Sequence, residues 1–446
     1  MEDNLLVRVY NVGFGDCIYA RIPDGNTFYN ILIDCGSSEP VELGLEKVLN
    51  DLRGMLPKEK GSKKRLDLLV VTHPHADHLN GFDPKCFKDI RIRHIWLSSF
   101  MMENHPQAKK SHALQDLAEK AVKSLLARGM SLKGGLDTLL TNSLCNVEAM
   151  KALRSILPQA NNIDSLYVCR DLADPNKKMV SVQEREKHML GFNDGTTCLQ
   201  DFREPSTCLR ILAPEWNIDG YYLGKEGSDY NSLLSLYESN GHDQPEALSY
   251  EGKKSTPQPY NISKRDFRLL CNSLLYSALA FAQEDNELKN NTSVVLLLEW
   301  RGRRLLFAGD AQWKGRRVKK GRRNSCWDVM LKMLESEAHL SKPLDFLKVG
   351  HHGSVNGTPF VDQKNAEQSI LDKILPKEGG AQVVVSTLAG KHGEKKEVPY
   401  LQMMKELGFR SNNRREYPDD LGVLQPQRTD GERKPWIDVT IKPASN

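Results

Sequence analysis

The sequence predicts an α/β fold built as one body that is interrupted twice, and three features predict it. Four short strand patterns rich in Val, Ile, Leu and Tyr crowd residues 5–71, with turns between the first three. Three apolar strand patterns run straight into His or Asp residues. Helical three- and four-residue spacing of apolar positions alternates with later strands, which is how α/β chains read.

Leu5–Tyr10, Cys17–Ile22, Phe28–Ile33 and Leu66–Val71 read as the opening strands. Gly13-Phe14-Gly15-Asp16 and Pro23-Asp24-Gly25-Asn26 are turn sequences, so the first three strands are expected antiparallel. A helix is expected at Val41–Leu56, followed by the basic loop Lys58–Arg65. From about Met101 to Leu157 the pattern is helical, most clearly in Ala113–Ala127 and Asn146–Ile156. Strand patterns return at Leu166–Cys169 and Cys208–Leu212. A polar stretch from Glu215 to Asn290, with a helix pattern at Ser263–Ala282, separates these from Ser293–Trp300 and Arg304–Ala308. Phe346–Val349, Gln382–Ser386, a helix at Leu401–Leu407 and a last strand at Trp436–Ile441 complete the set. The single domain 1–446 is therefore expected to carry a helical insertion at 101–165, a second polar and helical one at 215–290, and a C-terminal extension at 412–446.

The chain has 446 residues, 39% hydrophobic and 27% charged, which excludes collagen-like and wholly disordered classes. With 62 basic against 58 acidic side chains the net charge is +4, too small by itself to argue for nucleic acid. The nine cysteines are odd in number and form no Cys-x-x-Cys pair, a pattern that suits buried thiols in a reducing compartment. The N-terminus Met1-Glu2-Asp3-Asn4 has no leader pattern, and no apolar run approaches the roughly 18 residues of a membrane span. A soluble, cytoplasmic protein with no membrane partner is expected.

The strongest chemical signal is Thr72-His73-Pro74-His75-Ala76-Asp77-His78, directly after the strand pattern Leu66–Val71. In a short turn leaving a strand, three imidazoles and a carboxylate project close together and can be shared between two cations. Phe307-Ala308-Gly309-Asp310 delivers an Asp at a strand end, and Lys348-Val349-Gly350-His351-His352-Gly353-Ser354 delivers paired histidines at another. Either alone is weak; three strand ends carrying ligand-type residues reinforce one another.

Together these segments resemble the metallo-β-lactamase superfamily of hydrolases, and within it the hydrolase domain of ComEC-type competence proteins, which act in DNA uptake. Val9-Tyr10-Asn11-Val12-Gly13-Phe14-Gly15-Asp16-Cys17, Ile31-Leu32-Ile33-Asp34-Cys35-Gly36 and Asn290-Asn291-Thr292-Ser293-Val294-Val295-Leu296 carry the likeness further, so it spans residues 7 to about 390 outside the two interruptions. The resemblance implies a four-layer αβ/βα sandwich with helical insertions and a dinuclear site between its sheets. It implies two divalent ions, Zn or Mn: His73 and His75 on one, Asp77 and His78 on the other, and Asp310 bridging. One of His351 and His352 closes the second site, with His351 favoured as the nearer to its strand. Asp34 is expected to orient a ligand imidazole, and Asp16 either does the same or serves only as a turn residue.

The sequence departs from the superfamily pattern after Cys208–Leu212, where Ala213-Pro214-Glu215-Trp216 offers no His. Glu215 or a water fills that place, and the harder donor set makes Mn²⁺ a rival to Zn²⁺. Glu397-Val398-Pro399 lacks the His that ComEC-like chains have before that Pro.

Two divalent ions activate a water for attack, so no Ser or Cys nucleophile is needed, and no Gly-x-Ser-x-Gly elbow is present. Asp77 and Asp310 are the expected catalytic carboxylates, with Asp77 orienting the attacking oxygen. Lys314, Arg316, Arg317, Lys319, Lys320, Arg322 and Arg323 form a basic run just after Asp310; it is either a solvated face or a nucleic-acid contact. Arg301, Arg303, Arg304 and the Lys58–Arg65 loop add to it. The leading expectation is a phosphodiesterase or nuclease acting on DNA or RNA. A small-molecule hydrolase of phosphoester, ester or lactam bonds is the first alternative. The second is a non-catalytic scaffold, stabilised by metal, whose helical insertions bind a protein partner. The chain has no channel-forming segments, which sets it apart from full-length ComEC-type proteins. By family analogy, stand-alone bacterial relatives belong to multi-gene assemblies that include defence systems.

Overall fold

The computed structural model describes residues 3–38, 45–59, 63–102, 105–109, 111–116, 135–168, 189–192, 202–223, 285–314, 325–332, 339–359, 370–377, 380–388, 398–411 and 435–445, with a few isolated positions between 261 and 269. The expected helix at Ser263–Ala282, most of the basic run after Lys314, and the extension up to residue 434 lie outside the described residues.

Alternation of side chains across two sheets accounts for the architecture. The first sheet has the order β13-β1-β2-β3-β4-β5-β6-β7 and the second β12-β11-β10-β9-β8. β1 (Leu5–Tyr10), β2 (Cys17–Asp24) and β3 (Thr27–Cys35) are antiparallel, as their turns require. β4 (Lys64–Val71), β5 (Ile90–Ser98), β6 (Ala160–Val168) and β7 (Met189–Phe192) then continue parallel to β3. In the second sheet β8 (Cys208–Ala213), β9 (Val295–Trp300) and β10 (Arg303–Phe307) are antiparallel. β11 (Phe346–Lys348) and β12 (Gln382–Val384) run parallel to β10. The β9–β10 link is a two-residue turn with φ of 44° at Arg301 and 78° at Gly302, the left-handed pair that a tight hairpin needs.

On β3, Ile31 and Ile33 enter the core between the sheets while Leu32 faces the other way. The inter-sheet core joins Val7, Val9, Ile33 and Trp96 to Leu209, Leu296, Phe307 and Phe346. Helix α1 (Leu45–Met55) covers the outer face of the first sheet with Leu45, Val48, Leu49 and Leu52, one helical stripe. Glu46 in its first turn and Arg53 in its last suit the helix dipole. The helix Gly135–Ile156 joins that layer through Ala149, Leu153 and Ile156. The second sheet is covered by Cys326–Lys332, Ile370–Ile374 and Leu401–Arg410. This is an α/β fold in four layers, αβ/βα, as expected.

Two readings are corrected. β5, a central strand, was not anticipated: Arg91 and Arg93 alternate along its first half and mask the apolar run Ile95-Trp96-Leu97. The strand pattern Leu166–Cys169 is the end of the longer β6, which starts within the segment set apart as a helical insertion. The C-terminal strand β13 (Trp436–Ile441) is held to the edge of β1 by Arg8. Its guanidinium meets Asp438 and Asp51 at 2.7 Å each and lies 4.3 Å from the centre of the Trp436 ring. No helix among the described residues is long and apolar enough to cross a membrane.

A buried lysine–carboxylate pair crosses between the sheets. Lys348 on β11 and Asp16 in the β1–β2 turn are both 2% exposed, with Nζ 2.8 and 3.0 Å from the two carboxylate oxygens. Removing one partner leaves the other buried and uncompensated, whereas removing both charges together does not. Lys348→Met is expected to lower the unfolding free energy by about 3–5 kcal/mol in urea titration, and Asp16→Asn added to it to recover most of the loss.

Candidate metal centre

The carboxyl ends of β3, β4, β10 and β11 meet at one edge of the sandwich, where open α/β sheets present their sites. Just beyond β4, the Thr72 N–H and hydroxyl donate to the two oxygens of Asp34, at 2.7 and 2.6 Å. Asp34, at the end of β3, has φ of 54°. It turns there to place its second oxygen 2.8 Å from His78 Nδ1. The carboxylate therefore holds the Nδ1 proton of His78 and leaves Nε2 facing Asp310 Oδ2 at 3.4 Å. Thr72 does the same for His73: its Oγ1 lies 3.0 Å from His73 Nδ1, so Nε2 faces His75 Nδ1 at 3.0 Å and Asp310 Oδ2 at 3.6 Å.

Glycines let these segments close up. A Cβ on Gly36 would lie 2.5 Å from backbone atoms of Asp77 and His78, and one on Gly15 would lie 2.5 Å from the Asp77 carbonyl oxygen. The short helix α2 (Ala76–Leu79) is thereby pressed against the β1–β2 turn, and the Asp16 N–H donates to the Asp77 carbonyl at 3.1 Å.

Asp310 follows β10 after Gly309, and Ser293 Oγ fixes its N–H at 3.1 Å. At the end of β11 the backbone turns through φ of 48°, 51° and 77° at His351, His352 and Gly353. This left-handed run sends the two imidazoles in different directions. His352 Nε2 stands 3.1 Å from Asp77 Oδ2 and 3.6 Å from Asp310 Oδ2, while its Nδ1 meets the Ser386 carbonyl at 3.2 Å. His351 instead lies between Asn290 Nδ2, 3.3 Å from its Nε2, and Asn356 Oδ1, 3.0 Å from its Nδ1. The preference for His351 on the ground of nearness to the strand is thus reversed by the geometry. The turn, not the distance from β11, decides which ring joins the cluster.

Three groups with ligand atoms within 4.8 Å of one another result: His73, His75 and Asp310; Asp77, His78 and His352; and Asp16, His78 and Asp310. Glu215, though buried, belongs to none of them. His75 Nε2 is buried without a hydrogen-bond partner, an arrangement that is costly unless a cation takes it, and His78 Nε2 has the Asp310 carboxylate 3.4 Å away. Imidazole and carboxylate donors of this kind fit divalent ions.

Burial pushes His75 down to about 3, helped by the charge of Lys289, and pushes His73 well below its usual value, so both are neutral at pH 7. His78 and His352 go the other way. Burial opposes their charge, but Asp310 with Asp34 raises His78 well above its usual value, and Asp310 with Asp77 raises His352. The carboxyls of Asp77 and Asp310 stay ionised: burial opposes this, and the hydrogen bond from His352 and the nearby imidazoles overcome it.

The described part of the basic surface is largely spent. Arg301 pairs with Asp3 and Glu204, Arg303 with Asp345, Arg304 with Glu299, Arg65 with Asp67 and Lys314 with Glu287. Arg316, Arg317, Lys319, Lys320, Arg322 and Arg323 lie outside the described residues. Sequence reasoning missed the Lys348–Asp16 pair, whose signal was a lone Lys inside an apolar strand. It also gave no site role to the Asp285–Lys289 pair, buried at 2.5 Å.

The family model of the metallo-beta-lactamase superfamily matches residues 11–84. That stretch carries Asp16, Asp34 and the whole His73–His78 turn, and ends before Asp310 and His352. No curated protein matches the chain.

A protonated imidazole cannot bind an ion until it gives up its proton. If an ion takes the His73, His75 and Asp310 group and a second takes the Asp77, His78 and His352 group, loading the metal-free chain at pH 6–7 is expected to bind the first with little proton exchange and to release protons with the second. Affinity for the second ion then rises as pH is raised through the elevated His78 and His352 range. Calorimetry in buffers of different ionisation enthalpy measures this, and equal proton release for both ions contradicts it.

Proposed function

We propose that the chain is a metal-dependent hydrolase whose substrates are phosphodiesters, DNA or RNA. In this reading His73, His75 and Asp310 hold one divalent ion, while Asp77, His78 and His352 hold a second that shares Asp310. The observation that carries it is the position of Asp310 Oδ2, 3.6 Å from His73, 3.4 Å from His78 and 3.6 Å from His352. Such ions supply a water of lowered pKa and a clamp on the attacking and leaving oxygens. The side chains do the rest. Asp34 and Thr72 fix the tautomers of His78 and His73, and the Ser386 carbonyl fixes that of His352. Asp77, kept ionised, offers an acceptor oxygen that orients the attacking water.

The likeness to ComEC-type hydrolase segments supports the nucleic-acid substrate, and so does the basic run that begins four residues after Asp310 in sequence. By the same analogy the chain acts with partner subunits that bring it to its target. Plasmid nicking and hydrolysis of bis(p-nitrophenyl) phosphate with added Mn²⁺ or Zn²⁺ test the reading. Both activities are expected to disappear with chelator and to fall more than about a hundredfold in His75→Ala and Asp77→Ala. Nicking, but not hydrolysis of the small ester, is expected to weaken steeply with salt. Cleavage that survives both substitutions assigns it to another site. Hydrolysis of the small ester with no action on DNA favours a small-molecule substrate.

A further inference from the structure

The two ion positions are unequally furnished. Among the described residues, the second draws on Asp77, His78 and His352 with Asp310 3.4 and 3.6 Å from the two rings, whereas the first has only the His and carboxylate donors of His73, His75 and Asp310. A divalent ion bound by nitrogen and oxygen takes four to six donors.

The segment 285–294 runs alongside this first group. The Val294 N–H donates to the Thr72 carbonyl at 2.9 Å, one residue before His73. Ser293 Oγ accepts the Asp310 N–H. Lys289, neutralised by Asp285 in a pair buried on both sides, is close enough for its charge to be felt at His75.

Asn290 lies between these anchors. It is 6% exposed, and its Oδ1 is buried and accepts no hydrogen bond. The orientation of its amide follows from a chain of donors. Ser354 Oγ donates to Asn356 Oδ1 at 2.8 Å, which makes that oxygen an acceptor for His351 Nδ1–H at 3.0 Å. His351 Nε2 then carries a lone pair and accepts from Asn290 Nδ2 at 3.3 Å. The amide nitrogen is thus committed to His351, and the oxygen is left over. An amide oxygen only accepts, so what satisfies it must be a cation or a proton donor. His351 is itself tied to the site, its N–H donating to Asp310 Oδ1 at 3.1 Å.

We propose that Asn290 Oδ1 is an oxygen ligand of the ion held by His73, His75 and Asp310, and that His351 is a positioning residue that holds the Asn290 amide for it. The inference rests on the dinuclear reading above and adds a ligand to it. It gives His351 a part that its absence from the cluster otherwise leaves open. It gives each ion two nitrogen and two oxygen donors, a mixed set that both Zn²⁺ and Mn²⁺ accept.

The test is metal binding by the full chain, read by isothermal titration, bound-metal analysis and the visible spectrum of the Co²⁺-loaded protein. Wild type is expected to take up two ions. Asn290→Ala is expected to weaken one of them about ten- to a hundredfold and to leave the other unchanged. Asn290→Asp keeps the oxygen and restores binding. Asn290→His replaces oxygen by nitrogen and shifts the Co²⁺ bands of the first ion alone. His351→Ala is expected to lower the same affinity as Asn290→Ala, and His351→Gln, whose amide oxygen still accepts from Asn290, to recover it in part.

Two ions bound by Asn290→Ala with wild-type affinity and an unchanged Co²⁺ spectrum overturn the inference while leaving the dinuclear reading intact. A wild-type chain that holds no ion overturns both. If the circular dichroism of metal-free Asn290→Ala shows that it does not fold, the Asn290→His spectrum decides: bands identical to wild type overturn the proposal.

Discussion

One carboxylate oxygen holds the arrangement together. Asp310 Oδ2 lies within 3.6 Å of ring nitrogens from both ends of the His73–His78 turn and from His352, so segments of both sheets converge on a single atom. Burying that charge is tolerable only because two of the three imidazoles are pulled towards the protonated form and answer it. The Asp16–Lys348 pair repeats the device a short way off: a carboxylate on one sheet answered by a cation on the other. Both pairings register the two sheets at the same edge. A shift of one sheet against the other would leave several charges buried without a partner, which a greasy inter-sheet core by itself does not penalise so sharply.

That dependence explains which parts of the fold can be read from residues alone. Leu5–Tyr10 and Trp436–Ile441 have the bounds that their residue patterns indicate. β13 is an edge strand whose buried and wetter positions alternate, and β1 beside it is a short, almost wholly buried run closed by the turn at residues 13–16. β5 was hidden because its first half alternates Arg with Ile on a surface that water still reaches, while its second half is buried on both faces. The His73–His78 turn was legible because its spacing is chemistry, independent of any partner. The contribution of His352 was not, since two adjacent histidines are equivalent until the backbone turns left-handed through both and hands one ring to each side. Asn290 was unmarked for a similar reason. An amide becomes informative only when one of its two ends is seen to be committed and the other buried.

The cluster is also lopsided in a way that bears on order of assembly. The His73 and His75 side is neutral and ready to donate, while the side of His78 and His352 is charged against Asp34, Asp77 and Asp310. In the metal-free chain the second side is therefore an internal network of ion pairs, while on the first His75 Nδ1–H donates to the His73 Nε2 lone pair at 3.0 Å and His75 Nε2 is left over. A buried nitrogen lone pair without a donor, as at His75 Nε2, is answered by a cation. The first side is where metal binding most favours the fold, and the second is where it must displace interactions already made.

In the proposed function, attraction for a polyanionic substrate has to be found against this background. Arg301, Arg303 and Arg304 each face a carboxylate, Lys314 faces Glu287, and Lys289 and Lys348 are buried with Asp285 and Asp16. Exposed pairs of this sort contribute little to stability, but they do cancel charge at the range over which a phosphate would sense it. Within the described residues the edge of the sandwich is thus close to electrically balanced, with the acidic cluster offset by its own protonated imidazoles. Divalent ions change that balance twice over, adding positive charge and expelling protons from only part of the set. In the proposed reading the ions would be the dominant attraction for a phosphate group at this edge, so that substrate recognition and readiness for hydrolysis would arise together.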